Sequence, residues 1–173
     1  MEAALSDNTN SVTGQPGKAQ LSFRIDPVVA LTSDVAELVT RHIELMSAQT
    51  PSESCHVMSA DDLFAAGAQV FAARDDTMTL GIAALKPLDA EHGELKSMHT
   101  RAEARGRGVG AALVRQILDA AGELGLTRVS LETGSEAPFA SARRLYERHG
   151  FTYCPPFAGY NPDPLSVFMT RTL

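Results

Sequence analysis

The segment Arg105-Gly106-Arg107-Gly108-Val109-Gly110 carries the densest chemical signal in the chain. Three alternate glycines strip the Cβ from one side of a turn, so a ligand can approach the backbone closely. An apolar period follows, with Leu113, Val114, Ile117, Leu118, Ala121 and Leu124 on one helical face. A helix starting here leaves N–H groups without partners and a partial positive charge at its first turn. With Arg105 and Arg107 as mobile cations, the segment reads as a cradle for phosphate. Gly106-x-Gly108-x-x-Ala111 has the spelling of a dinucleotide-binding turn, and Glu132 could imitate its ribose-binding acid. Against that, Thr100–Ala104 separates the glycines from the preceding strand, which in that fold runs straight into them. The Gly-Lys-Ser/Thr of a P-loop is absent. A plain glycine-rich helix cap is the non-functional alternative.

Composition narrows the classes around this cradle. The chain has 173 residues, 44% hydrophobic and 21% charged, the balance of one soluble globular domain. No apolar run reaches the ~18 residues of a membrane span. Cys55 and Cys154 form no CxxC pair and no metal-ligand cluster, so no metal is expected, and two idle thiols suit a reducing cytosol. The first 19 residues lack the basic and apolar regions of a secretory signal, and their polar, Gly- and Pro-containing content reads as a disordered lead-in. Residues 20–173 then form a single domain. The net charge of −6 is unevenly spread: residues 1–95 carry −9 and residues 96–149 carry +3. The basic stretch has neither aromatic interleaving nor a recognition motif, so nucleic acid is not an expected partner.

The elements that must hold the cradle follow from period and punctuation. Leu21, Phe23 and Ile25 alternate as a strand that Asp26-Pro27 closes. Thr32-Ser33-Asp34 caps an amphipathic helix over 33–48, and a short helix starts at Asp61 and ends at Gly67. Gln69–Arg74 and Met78–Lys86 read as a hairpin, followed by a strand at Glu94–Thr100. After the glycines and their helix come a strand at Arg128–Thr133, a helix over 139–149, and strands at Phe151–Cys154 and Val167–Arg171. This order predicts an α/β chain of the α+β type, a mixed sheet flanked by about four helices.

Two motifs then coincide. Arg105-x-x-Gly108-x-Gly110 fits a Gln/Arg-x-x-Gly-x-Gly/Ala pattern, and Ala142-x-x-Leu145-Tyr146-Glu147-x-x-Gly150-Phe151 follows it by one helix and one strand. Over residues 21–173 the chain resembles the GCN5-related N-acetyltransferase (GNAT) superfamily. The likeness is strongest to small bacterial acetyltransferases with Glu-x-Lys-x-Met, Leu-Glu-Thr-Gly and Ser-Val-Phe-Met segments, here Glu94–Met98, Leu131–Gly134 and Ser166–Met169. The resemblance implies an acyl-CoA N-acyltransferase fold whose sheet splays between its fourth and fifth strands. It also implies acetyl-CoA as cosubstrate, with a small amine or amino acid as acceptor. A homodimer is compatible with the sequence and not demanded by it.

By the same resemblance, backbone N–H groups of Arg105, Gly106, Arg107, Gly108, Val109 and Gly110 hold the pyrophosphate. The backbone of Met98 and Thr100 pairs with the pantetheine arm, and Tyr146 sits near the thioester sulfur. Where the family often has a pantetheine-binding Asn, this chain has Phe139. Arg143 or Arg144 is expected near the cofactor's other phosphate. Acetyl transfer needs a neutral amine, donors for the oxyanion, and a proton for the departing thiolate. Tyr146, neutral at pH 7, is the candidate acid, and an N–H near Met98 the candidate oxyanion donor. Glu94 is the candidate base, with His56, His99, Glu132 and ordered water as alternatives; the non-catalytic alternative for Glu94 is an ion pair with Lys96 or another cation. Strand parity predicts Glu94, Lys96, Met98 and Thr100 on one face and His99 on the other. His42, Met46, His56, Glu132, Thr133, Phe157, Tyr160 and Asn161 are the acceptor-side candidates, Tyr160 foremost. The contrasting function is a non-catalytic acyl-CoA sensor on the same fold.

Overall fold

Residues of period two and period 3.6 alternate along the chain, and the computed structural model, which describes residues 22–173, turns them into one sheet with helices on both faces. The expected lead-in over 1–19 lies outside the described residues. The strands are β1 (Arg24–Val28), β2 (Gln69–Arg74), β3 (Thr79–Pro87), β4 (His92–Thr100), β5 (Arg128–Gly134), β6 (Thr152–Cys154) and β7 (Ser166–Thr172). The helices are α1 (Ser33–Gln49), α2 (Ala60–Ala65), α3 (Val109–Glu123) and α4 (Ala140–Arg148). The sheet order is β1-β2-β3-β4-β5-β7-β6, and β4 with β5 is its one parallel pair among the described residues. Asp26-Pro27 does not close β1. Pro27 pairs with Phe71, which an edge strand permits because proline's missing N–H can face outward.

Side-chain alternation divides the core in two. Val70, Ala72, Ile82 and Ala84 pack against α1 and α2 through Val35, Leu38, Val39 and Leu63. Phe71, Ala73, Ala83, Leu85 and Leu95 face α3 through Val109, Leu113, Ile117 and Ala121. Tyr146 of α4 belongs to this second cluster.

Two irregularities in β4 decide the site. Its pairing with β5 covers only His92–Arg128, Gly93–Val129 and Glu94–Ser130. Beyond Glu94, β4 runs on to Thr100 and β5 to Gly134 without pairing, so the sheet is open there. The other irregularity is a bulge. Ile82 faces His99 and Ala84 faces Lys96, so β4 carries one residue more than β3 across this interval. Ser97 takes the left-handed φ of 52° that the bulge requires, a conformation a non-glycine residue rarely adopts.

The bulge corrects the parity expectation. Glu94 and Lys96 lie on the α1 face, and so does His99, whose ring meets that of His42 of α1 at 5.8 Å. Met98 and Thr100 turn to the α3 face, where a Cβ on Gly110 would stand 3.6 Å from Met98 Cε and 3.7 Å from Thr100 Oγ1. An extra residue shifts the two-residue period by one step, which moves every later side chain to the opposite face.

Candidate active site

The opening between β4 and β5 leads into a cavity of about 150 Å³. Its walls come from both faces of the sheet. Phe139, Ala142 and Tyr146 line it from the α4 side, and His42, Met46, His56 and Lys96 from the α1 side. Glu94, Ser97 and Met98 of β4 and Glu132, Thr133 and Gly134 of β5 form the rims.

On the α4 side, Tyr146 is 5% exposed and its ring meets Phe151 edge-on at 5.9 Å. Burial pushes its phenol well above the ordinary tyrosine range, so the hydroxyl stays protonated at any physiological pH. Phe139 lies over Gly134, where a Cβ would come within 2.2 Å of its ring. Thus the end of β5 must be glycine for this aromatic wall to stand. Arg143 donates to the carbonyls of Gly134 (2.6 Å) and Glu136 (3.0 Å), so it secures the end of β5.

The glycine segment is the turn into α3. Gly106 and Gly108 have φ of 76° and 82°, and Gly108 is the N-cap of the helix. A Cβ at either position would meet nothing within 4 Å, so the turn is open on its outer side. Gly110 differs: its α-carbon faces Leu145 and Met98, and it permits close packing instead. The first N–H groups of α3, from Gly108 through Ala111, have no intrahelical acceptor. Arg107 is not the mobile cation expected. It pairs with Asp75 at 3.2 Å and donates to Ser22 at 3.3 Å.

The α1 side is a polar network. Glu94 is 2% exposed, and its Oε1 accepts from Lys96 Nζ (3.1 Å) and Tyr160 Oη (2.7 Å). Lys96 Nζ also donates to Tyr160 Oη at 2.9 Å and to the His56 carbonyl at 3.4 Å. Glu132 Oε1 accepts from Ser166 Oγ at 2.6 Å and contacts His56 Nδ1 at 3.3 Å. The Tyr160 ring sits among His56 (5.1 Å), Phe157 (5.3 Å) and Phe168 (5.4 Å). Burial and the neighbouring Glu94 carboxylate raise its phenol far above the usual value. Burial, His99 and Lys96 lower the His42 pKa to about 4, so that ring is neutral at pH 7.

The structure therefore gathers His42, Met46, His56, Glu94, Glu132 and Thr133 at one cavity, with Tyr160 joined to it through Glu94 and Lys96. Asn161 is not on its wall and lines a neighbouring pocket with Tyr160 and His56. The ion pair of Glu94 with Lys96 is present as the alternative role of that carboxylate; sequence reasoning missed Tyr160 and the His56 carbonyl as further partners of Lys96, and Ser166 as a partner of Glu132. Lys96 had one visible signal, its position two residues from Glu94 on a strand. Among the described residues, no group of three or more His, Cys, Asp or Glu is arranged to hold a metal ion, and no helix is long and apolar enough to cross a membrane.

Comparison with known proteins agrees with this geometry. The model of the Acetyltransferase (GNAT) family matches residues 38–151. The uncharacterized N-acetyltransferase YsnE of Bacillus subtilis strain 168 is 43% identical over 139 residues, 80% of this chain and 92% of that protein. The uncharacterized N-acetyltransferase YedL of Escherichia coli K12 is 42% identical over 139 residues, 80% of this chain and 87% of that protein. Among solved structures, a GNAT family acetyltransferase from Elizabethkingia anophelis with acetyl-CoA bound shares the fold, with a TM-score of 0.66 at 17% identity over 89% of this chain and all of that one (100%). With its split sheet, glycine turn and buried tyrosine, the chain belongs to the GNAT family of acetyltransferases.

Proposed function

We propose that this acetyltransferase uses acetyl-CoA to acetylate the amine of a small molecule or amino acid by direct attack in a ternary complex. The observation that carries the reading is the cavity through the split, which brings Tyr146 from one face of the sheet and Glu94 from the other to a single space. The residues fit the cosubstrate. The open positive-φ turn at Gly106–Gly108 and the unpaired N–H groups of α3 suit a pyrophosphate. The β4 edge at Met98 and Thr100, which has no β5 partner, suits the amides of a pantetheine arm.

In this reading Glu94, directly or through water, takes a proton from the acceptor ammonium. The amine nitrogen then bonds to the acetyl carbon and gives up its second proton through water to solvent, the carbon–sulfur bond breaks, and its electron pair leaves on sulfur. Tyr146 gives the sulfur a proton and recovers its own from solvent. A backbone N–H at the Ser97–Met98 bulge, in the stretch of β4 without a β5 partner, serves as donor to the developing oxyanion. Lys96 and Tyr160 fix the Glu94 carboxylate.

The test is thiol release from acetyl-CoA against a broad panel of amines. Acceptor-dependent release is the expected result. Tight binding of CoA with no release from any amine would instead support a sensor.

A further inference from the structure

The charged groups of the cavity discriminate among amines. Lys96 is the one Lys or Arg side chain on its wall among the described residues. An ammonium has three donors. Lys96 has three acceptors in reach inside the protein: Glu94 Oε1, Tyr160 Oη and the His56 carbonyl. Its side chain is 9% exposed, so the cation is committed to its own network. A carboxylate on an incoming acceptor finds no free cation here. Of the two imidazoles on the wall, His42 is neutral at pH 7, and His56 Nδ1 is already in contact with Glu132 Oε1 at 3.3 Å.

The acceptor capacity is the reverse. An ionised carboxylate offers about four lone-pair sites. Glu94 fills two through Oε1, with Lys96 and Tyr160. The two contacts of Glu132 are a hydroxyl, Ser166, and the imidazole of His56. Lys96 balances Glu94, and no Lys or Arg side chain on the wall balances Glu132. Met46, Val57, Met58, Phe139 and Leu165 make the rest of the wall largely apolar, with Thr50, Ser54 and Thr133 as neutral polar side chains.

We infer that the acceptor is a small primary amine on a compact apolar body that lacks a carboxylate, with its ammonium received between Glu94 and Glu132. An α-amino acid of the same side chain brings a third carboxylate into a cavity whose wall carries two carboxylates and one Lys or Arg side chain. Burying that anion without a partner is costly. The cavity, about 150 Å³ and shared with the acetyl group of the thioester, favours a compact acceptor. This inference rests on the acetyl-transfer reading and narrows its acceptor.

Matched pairs test it: phenethylamine against phenylalanine, tyramine against tyrosine, and isoamylamine against leucine. Thiol release from acetyl-CoA gives kcat/KM for each, and calorimetry in the presence of CoA gives binding. The expected result is a preference of at least about tenfold for the amine in each usable pair, in both readouts. Glu132→Gln should shrink that preference by weakening the amine and sparing the amino acid. Amino acids that turn over or bind as well as their amines would overturn the inference while leaving the acetyl-transfer reading intact. Release and binding with neither member of any pair would overturn the inference, and the broad amine panel then decides the acetyl-transfer reading separately. Should Glu132→Gln fail to fold, the wild-type pairs decide alone.

Discussion

Tyr146 and Glu94 reach the same cavity from opposite faces of the sheet, and their surroundings assign them different work. Tyr146 is buried among apolar neighbours, which keeps its proton in place until a stronger base forms beside it. Tyr146→Phe removes that proton donor and almost no volume. It should lower kcat by about 10²-fold or more, the usual scale for a general acid, with acetyl-CoA affinity changed less than about twofold. Steady-state kinetics with an accepted amine and titration of acetyl-CoA check the two halves. His42 supplies a residue-scale prediction about stability. Its native pKa is lowered to about 4 from 6.5, so between those pH values the unfolded chain binds a proton that the native chain does not. Stability therefore falls as pH drops through that window, by up to about 3 kcal/mol from this ring. His42→Gln should flatten the difference in urea-unfolding free energy between pH 7 and pH 4.5, and an unchanged difference would contradict the assignment.

At the scale of elements, the turn into α3 and the end of β5 each depend on a glycine for a different reason. Gly108 holds a φ of 82° at the N-cap, facing open space. Gly108→Glu puts both backbone strain and a negative charge where the pyrophosphate is proposed to lie. The dissociation constant for acetyl-CoA should rise at least tenfold, or ~1.4 kcal/mol. Gly134 matters because of Phe139, which leaves no room for a Cβ. Gly134→Ala should cost about 1–3 kcal/mol through overpacking, read as a lower urea midpoint. Adding Phe139→Leu should return part of that loss, because the clashing ring is gone. The glycine turn was legible in the sequence because positive φ selects glycine directly. Phe139 over Gly134 was not, since nothing local marks which ring a strand-end glycine admits. The parity of β4 was misread for a related reason. A bulge shows itself only against a partner strand, and Ser97 is an ordinary residue in an ordinary strand pattern.

Across the whole molecule, the acidic first half and basic middle of the chain meet in the fold. Arg107 pairs with Asp75, Arg101 with Glu37 and Lys96 with Glu94, so part of the charge asymmetry is spent on internal pairs. The strand and helix order was readable because each element is short, periodic and punctuated, and the resemblance supplied the split that periodicity alone does not reveal. The acceptor network was only partly readable. Tyr160 and Glu94 stand 66 positions apart, and their hydrogen bond depends on how the β6–β7 loop folds back over the sheet. Acetyl transfer in the split between β4 and β5 is the proposal on which the other roles rest. A crystal structure with acetyl-CoA tests this most directly. The pyrophosphate should lie on the N–H groups of 105–110, the pantetheine along β4 at Met98 and Thr100, and the thioester sulfur within hydrogen-bond reach of Tyr146 Oη. A thioester lodged outside the split and away from Tyr146 would contradict it.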